Sequence, residues 1–234
     1  MRVRPAMLLA LLAVLLTTGC LPVQQPLSRS GQAPTPKGTG SAALGPEGTD
    51  TPEEFARDMQ AAQAVAEHYW AQRLGDGFEP VAEIIPYERE GEVSCAGQPL
   101  PLNNAVYCSA GDFIAYDVNW AFVSFQQLGD AFVYYLLGHE YAHAIQARLG
   151  IRKDFTIDQE LQADCMAGAY IGDQVRERNL TMEDNDTREL TDGLRSVGDD
   201  PGQPWFAPGS HGSPEQRIQS FANGYEDSLD PCGL

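Results

Sequence analysis

Ala131-Phe132-Val133-Tyr134-Tyr135-Leu136-Leu137-Gly138-His139-Glu140-Tyr141-Ala142-His143-Ala144-Ile145-Gln146-Ala147-Arg148-Leu149-Gly150 is the stretch from which the rest of the chain is read. It contains no proline, its apolar residues recur at helical spacing, and Gly150 ends it, so a long helix is predicted from about Ala131 to Leu149. His139 and His143 are four apart, which sends both imidazoles from one face, one turn apart. Phe132 and Leu136 continue that stripe toward the N-terminus and set the pair over a buried surface.

Two imidazoles at this spacing can close on one metal ion, and the His-Glu-x-x-His string suits a single zinc per chain. Glu140 is rotated about 100° from His139. It can therefore reach a zinc-held water without binding the metal, as the base that takes a proton while the water attacks a carbonyl and returns it to the departing amine. A catalytic zinc needs a third protein ligand and an open position. Glu160 is the best candidate for that ligand, and Asp164, one turn later on the same face, is placed to accept a hydrogen bond from His139. His211, in Ser210-His211-Gly212-Ser213, has three readings: donor to an oxyanion, third ligand, or surface histidine. His68 is read as a residue with no role.

Working outward, Thr51-Pro52-Glu53-Glu54 opens a helix that carries Phe55, Met59, Ala62, Ala66 and Tyr69 and ends near Leu74-Gly75. Short strands are predicted at Val81–Tyr87, Ala105–Cys108 and Asp112–Asp117. Trp120–Leu128 is helical up to a break at Gly129-Asp130. Beyond the central helix, a capping box at Thr156-Ile157-Asp158-Gln159 opens a helix running past Tyr170. A shorter helix is expected around Thr187–Val197, and Ser213-Pro214-Glu215-Gln216 caps a last one with Ile218 and Phe221. The fold class is α+β, a mainly helical body with a small β-sheet.

The first twenty residues stand apart. Arg2 and Arg4 precede the apolar run Met7–Leu16, and Thr17-Thr18-Gly19-Cys20 follows, a secretory signal too short to span a bilayer. The small residues before Cys20 resemble a bacterial lipobox, with Thr17 where that pattern prefers Leu. On that reading Cys20 carries the lipid; the competing reading is an ordinary signal peptide. Residues 21–50 hold five Pro, five Gly, three Ser and three Thr, and read as a disordered tether to a domain at 51–234. The chain is thus expected to be exported, lipid-anchored on the outer face of the bacterial cytoplasmic membrane or otherwise secreted. With Cys20 set aside, Cys95, Cys108, Cys165 and Cys232 form an even set suited to an oxidising compartment. Local spacing favours Cys95 with Cys108, leaving Cys165 with Cys232, one of three connectivities; a cysteine metal site is the weaker alternative because no Cys-x-x-Cys occurs. The net charge of -18, two more negative once Arg2 and Arg4 are removed, argues against a nucleic-acid partner.

Several blocks together resemble the bacterial neutral zinc metallopeptidases, related in site layout to the Glu-zincins. These are His68-Tyr69-Trp70, Tyr107-Cys108, Tyr116-Asp117, Gly138–His143 with Gln146, Glu160–Cys165 with Ala167-Gly168, and His211-Gly212-Ser213 with Gln216-Arg217. They span roughly residues 65–232. Ala142 and Ala144 depart from that pattern, which often has Gly and His there; neither departure removes a proposed ligand. The resemblance implies a zincin-like domain, zinc on His139, His143 and Glu160, and Glu140 as base. A protein or peptide is then the expected substrate, and an extended one would pair with an edge strand, placed by this reading at Phe113–Tyr116. The alternative in a different class is a catalytically idle zinc-binding envelope lipoprotein acting as a binding or assembly module. A purely structural zinc is weaker, since only His211 could close the sphere. Sequence does not fix the oligomeric state.

Overall fold

The computed structural model describes residues 51–204 and 206–234, with the two-residue strand β1 (Ala42–Ala43). The chain divides into two units, Met1–Gly38 and Thr39–Leu234. The first, which contains the predicted signal and Cys20, lies outside the described residues. So does most of the stretch read as a tether, although β1 falls within it.

Helix α1 (Pro52–Leu74) starts where Thr51 Oγ1 accepts from the Glu54 N–H and stops at Gly75, whose φ of 57° a side chain would resist. Strands β2 (Glu83–Tyr87), β3 (Ser94–Cys95), β4 (Gln98–Pro99), β5 (Ala105–Cys108) and β6 (Phe113–Asp117) follow. The three longer ones form a mixed sheet ordered β2-β6-β5, with β2 parallel and β5 antiparallel to β6. β6 is therefore the central strand, and the sequence-based placement of the edge at Phe113–Tyr116 is corrected: the edges are β2 and β5. The β3–β4 hairpin carries too few residues for periodicity to mark it. The Cys95–Cys108 disulfide ties this hairpin to β5.

Helices α2 (Val118–Leu128), α3 (Ala131–Arg148), α4 (Thr156–Arg176), α5 (Asp186–Ser196) and α6 (Pro214–Asp227) complete the body, with the short strand β7 (Leu180–Thr181) between α4 and α5 pairing in parallel with β1. Asp117 caps α2 by accepting from the Asn119 and Trp120 N–H groups. Ser213 caps α6 in a full capping box with Gln216. The box expected at Thr156 does not form: Phe155 holds the N-cap position, and the Thr156 hydroxyl accepts from the Gly209 N–H instead.

α3 is buried on every side from Ala131 to Ala142 and again from Ala144 to Gln146, as expected of a helix at the centre of a core. It shares one hydrophobic core with Phe55, Tyr69 and Trp70 of α1, with Ala163, Met166, Ala167 and Tyr170 of α4, and with Phe221 of α6. Small residues set the close approaches. A Cβ at Gly138 would lie 2.7 Å from the Tyr170 ring, and one at Gly168 would lie 2.0 Å from the Phe221 carbonyl oxygen. α3 and α6 can thus both press against α4, which brings His139 beside Glu160. The Cys165–Cys232 disulfide fastens the C-terminal turn to α4. Among the described residues no helix is long and apolar enough to cross a membrane.

Candidate metal centre

The helical spacing read from the sequence places His139 and His143 with ring centroids 4.6 Å apart and planes at 90°. Their Nε2 atoms are 3.1 Å apart. From α4, Glu160 Oε2 lies 3.1 Å from His139 Nε2, and Oε1 lies 3.4 Å from His143 Nε2. Asp164, fully buried one turn further along, has Oδ1 2.9 Å from His139 Nδ1. His143 Nδ1 faces Gln146 Oε1 at 2.8 Å. With each Nδ1–H donating outward, both Nε2 atoms face one point that a carboxylate also faces, where each can offer a lone pair to a bound cation.

Three groups that can each offer an electron pair converge there, an arrangement that a bound cation completes. Atoms bound about 2.0–2.2 Å from a tetrahedral zinc lie about 3.3–3.6 Å from one another, close to the separations here. His139, His143 and Glu160 form a metal-ligand group on distance alone. The field agrees. Burial opposes a charged His139 ring, yet Asp164 and Glu160 outweigh it and lift the pKa to about 10. Burial would likewise raise Glu160, but hydrogen bonds and charge from the two imidazoles hold it far below the carboxylate range. The pocket is built for positive charge.

Glu140 is also buried but stands apart from the three converging donors, its Oε2 accepting from the Tyr107 N–H of β5 at 2.6 Å. Arg217 of α6, 3% exposed, reaches Asp164 with Nε and Nη2 at 2.8 and 2.9 Å and Tyr135 Oη at 2.9 Å. Tyr135 in turn donates to Asp164 at 2.8 Å. Burial alone would raise the Asp164 pKa; the Arg217 and His139 charges reverse that and keep it below the ordinary range.

The group lines a cleft of ≈ 1380 Å³ whose walls include Ala105, Val106 and Tyr107 of β5 and the half-exposed His211. His211 is not among the converging donors. Its loop is held by Asp199, whose Oδ2 accepts from Ser210 Oγ and from the His211 and Gly212 N–H groups, and whose Oδ1 lies 3.5 Å from His211 Nδ1. His68 is exposed on α1. Sequence reasoning assigned no part to Arg217, Tyr135 or Asp199, and no local spacing could have marked them: the Arg217–Asp164 contact joins residues 53 apart in the chain.

No curated protein and no solved structure matches the chain. Residues 6–232 match the family model described as "Putative neutral zinc metallopeptidase". That match spans nearly the whole chain, including every residue of the centre described above, and the chain belongs to this zinc metallopeptidase family.

Proposed function

We propose that the protein is a zinc-dependent endopeptidase acting on extracytoplasmic proteins or peptides. The observation that carries this reading is the meeting of His139 Nε2, His143 Nε2 and a Glu160 oxygen, with Glu140 buried beside them but outside the set. His139, His143 and Glu160 would hold the metal. When bound, zinc supplies a Lewis acid and lowers the pKa of its water to roughly 7.

Glu140 takes the proton from the attacking water and passes it to the leaving amine. The Tyr107 N–H steadies one of its oxygens and leaves the other for this transfer. Asp164 orients His139, and Arg217 keeps Asp164 ionised. His211, on the cleft wall, donates to the oxyanion that forms on the attacked carbonyl. The register of β5 against β6, with the Asn104 carbonyl accepting from Asp117 N–H, turns the Ala105 N–H and carbonyl and the Tyr107 carbonyl outward, while Glu140 keeps the Tyr107 N–H, so an extended substrate pairs with this edge at Ala105. Cys20 would anchor the chain outside the cytoplasmic membrane.

Zinc content and cleavage of an unfolded protein substrate, measured for the wild type, His143→Ala, Glu160→Ala and Glu140→Gln, test this. One zinc per chain is expected, lost in the first two variants. Glu140→Gln should retain zinc while cleavage falls about 10²–10⁴-fold. Full cleavage by Glu140→Gln would overturn its role as base. Zinc without cleavage in the wild type would favour the idle zinc-binding lipoprotein.

A further inference from the structure

His143 keeps its ring in place through an amide chain that leads away from the cleft. Its Nδ1 faces Gln146 Oε1 at 2.8 Å. Gln146 Nε2 lies 2.8 Å from the Gln159 carbonyl oxygen and 3.1 Å from Gln162 Oε1. Gln162 Nε2 lies 2.8 Å from the carbonyl oxygen of Cys232, in the turn that the Cys165–Cys232 disulfide fastens to α4. Both glutamines are buried, at 1% and 6% exposure.

The chain has one polarity. A main-chain carbonyl only accepts, so the Gln162 atom facing Cys232 must be the NH₂ group, which turns its oxygen toward Gln146. Gln146 faces two acceptors, the Gln159 carbonyl and the Gln162 oxygen, so its NH₂ group must lie on that side and its oxygen on the His143 side. His143 then has a single way to pair: Nδ1 carries the proton and donates. The other ring nitrogen faces His139 and Glu160, where it can offer its lone pair to a metal. Reversing any amide would set oxygen against oxygen inside the core, at the cost of buried unpaired acceptors.

We propose that Gln146 and Gln162 are positioning residues that fix the tautomer and orientation of His143, with the Cys232 carbonyl as the fixed end of the relay. His139 is oriented by a charged partner, Asp164; His143 is oriented by neutral amides, so the centre gains a fixed lone pair without a further buried charge. The inference rests on the reading of His143 as a zinc ligand.

Two measurements test it. In the metal-free protein, long-range ¹⁵N–¹H spectra of the histidine rings should find His143 with its proton on Nδ1, and this should be lost in Gln146→Met. Zinc affinity, measured by competition with a chromogenic chelator, should fall roughly 10–100-fold in Gln146→Met and by less in Gln162→Leu. Combining the two should weaken binding no further than Gln146→Met alone, because the second acts through the first. A wild-type His143 with its proton on Nε2, wild-type affinity in both variants, or losses that simply add would each overturn the relay. Absence of zinc binding by the wild type would instead remove the metal-site reading on which the relay depends. A purely structural role for the glutamines would lower thermal stability and leave the tautomer unchanged.

Discussion

Arg217 couples three parts of the centre through one side chain: it holds Asp164 with two nitrogens, Tyr135 with one, and the Val197 carbonyl with Nη1 at 2.7 Å. Asp164 has no exposure to solvent, so removing the guanidinium leaves a buried carboxylate with only His139 and Tyr135 to offset its desolvation. Breaking a buried pair from one side costs about 3–5 kcal/mol. Arg217→Met is therefore expected to lose about that much in urea denaturation, while Arg195→Met, at an exposed pair with Asp192, should lose under about 1 kcal/mol. Equal losses would mean that the buried network contributes no more than a surface pair. At this scale the histidines and Glu140 were legible because their geometry is local, set by a helix turn. Glu160 and Asp164 were legible because a second helix start stood close by in sequence. Arg217 was not, since its partners are assembled only by tertiary packing.

Helices were read closely wherever a cap and a periodic face coincided, as at Thr51 and at the capping box of Ser213. The strands were placed, but their order was not: nothing local distinguishes a central β6 from an edge, because hydrogen-bonded neighbours are chosen by the fold. The meeting of α4 and α6 was equally hidden, and glycines decide it. A Cβ at Gly224 would lie 1.9 Å from the Cys165 carbonyl oxygen, and one at Gly172 would lie 2.2 Å from that of Tyr225. Main chain meets main chain there, with no flexible side chain able to give way. Gly224→Ala should consequently push α6 from α4 despite its better helix propensity, costing at least about 3 kcal/mol as overpacking against backbone. Asn223→Ala, at the exposed neighbouring position, should remain within about 0.5 kcal/mol. Thermal unfolding of the two variants checks this; a neutral Gly224→Ala would mean that the helices can separate freely. Displacing α6 also moves Arg217, so the same variant should bind zinc less tightly.

The whole molecule is strongly acidic, with a net charge of -18 and a pI near 4.4, and its stability should respond to pH on the acid side of neutrality. The clearest contributor lies away from the metal centre. Asp186, 2% exposed at the start of α5, sits with Asp130 and Glu189. Burial, the largest influence, outweighs the help of the Glu183 N–H and, together with the charges of Glu189 and Glu183, raises its pKa to about 6. A carboxyl held above its unfolded value of 3.8 binds more protons in the folded state between those two values. Stability therefore falls as pH rises from about 4 to 6, and the penalty is complete above that. Asp173 and Asp199 have the opposite sign: burial raises them, but their hydrogen-bond donors outweigh it and lower both, so their contribution is present above 3.8 and is lost only at more acid pH. His139 does not intervene in metal-free protein, because a ring raised to about 10 is charged in both states below its unfolded value of 6.5. Urea midpoints of metal-free protein should accordingly rise as pH falls from 6 to 4. Asp186→Asn keeps an acceptor for the Glu183 N–H without the charge, and should be more stable than the wild type at pH 7, with a flatter profile between 4 and 6. Parallel profiles in the two proteins would assign the acid-side gain to the surface charge as a whole rather than to this buried carboxyl.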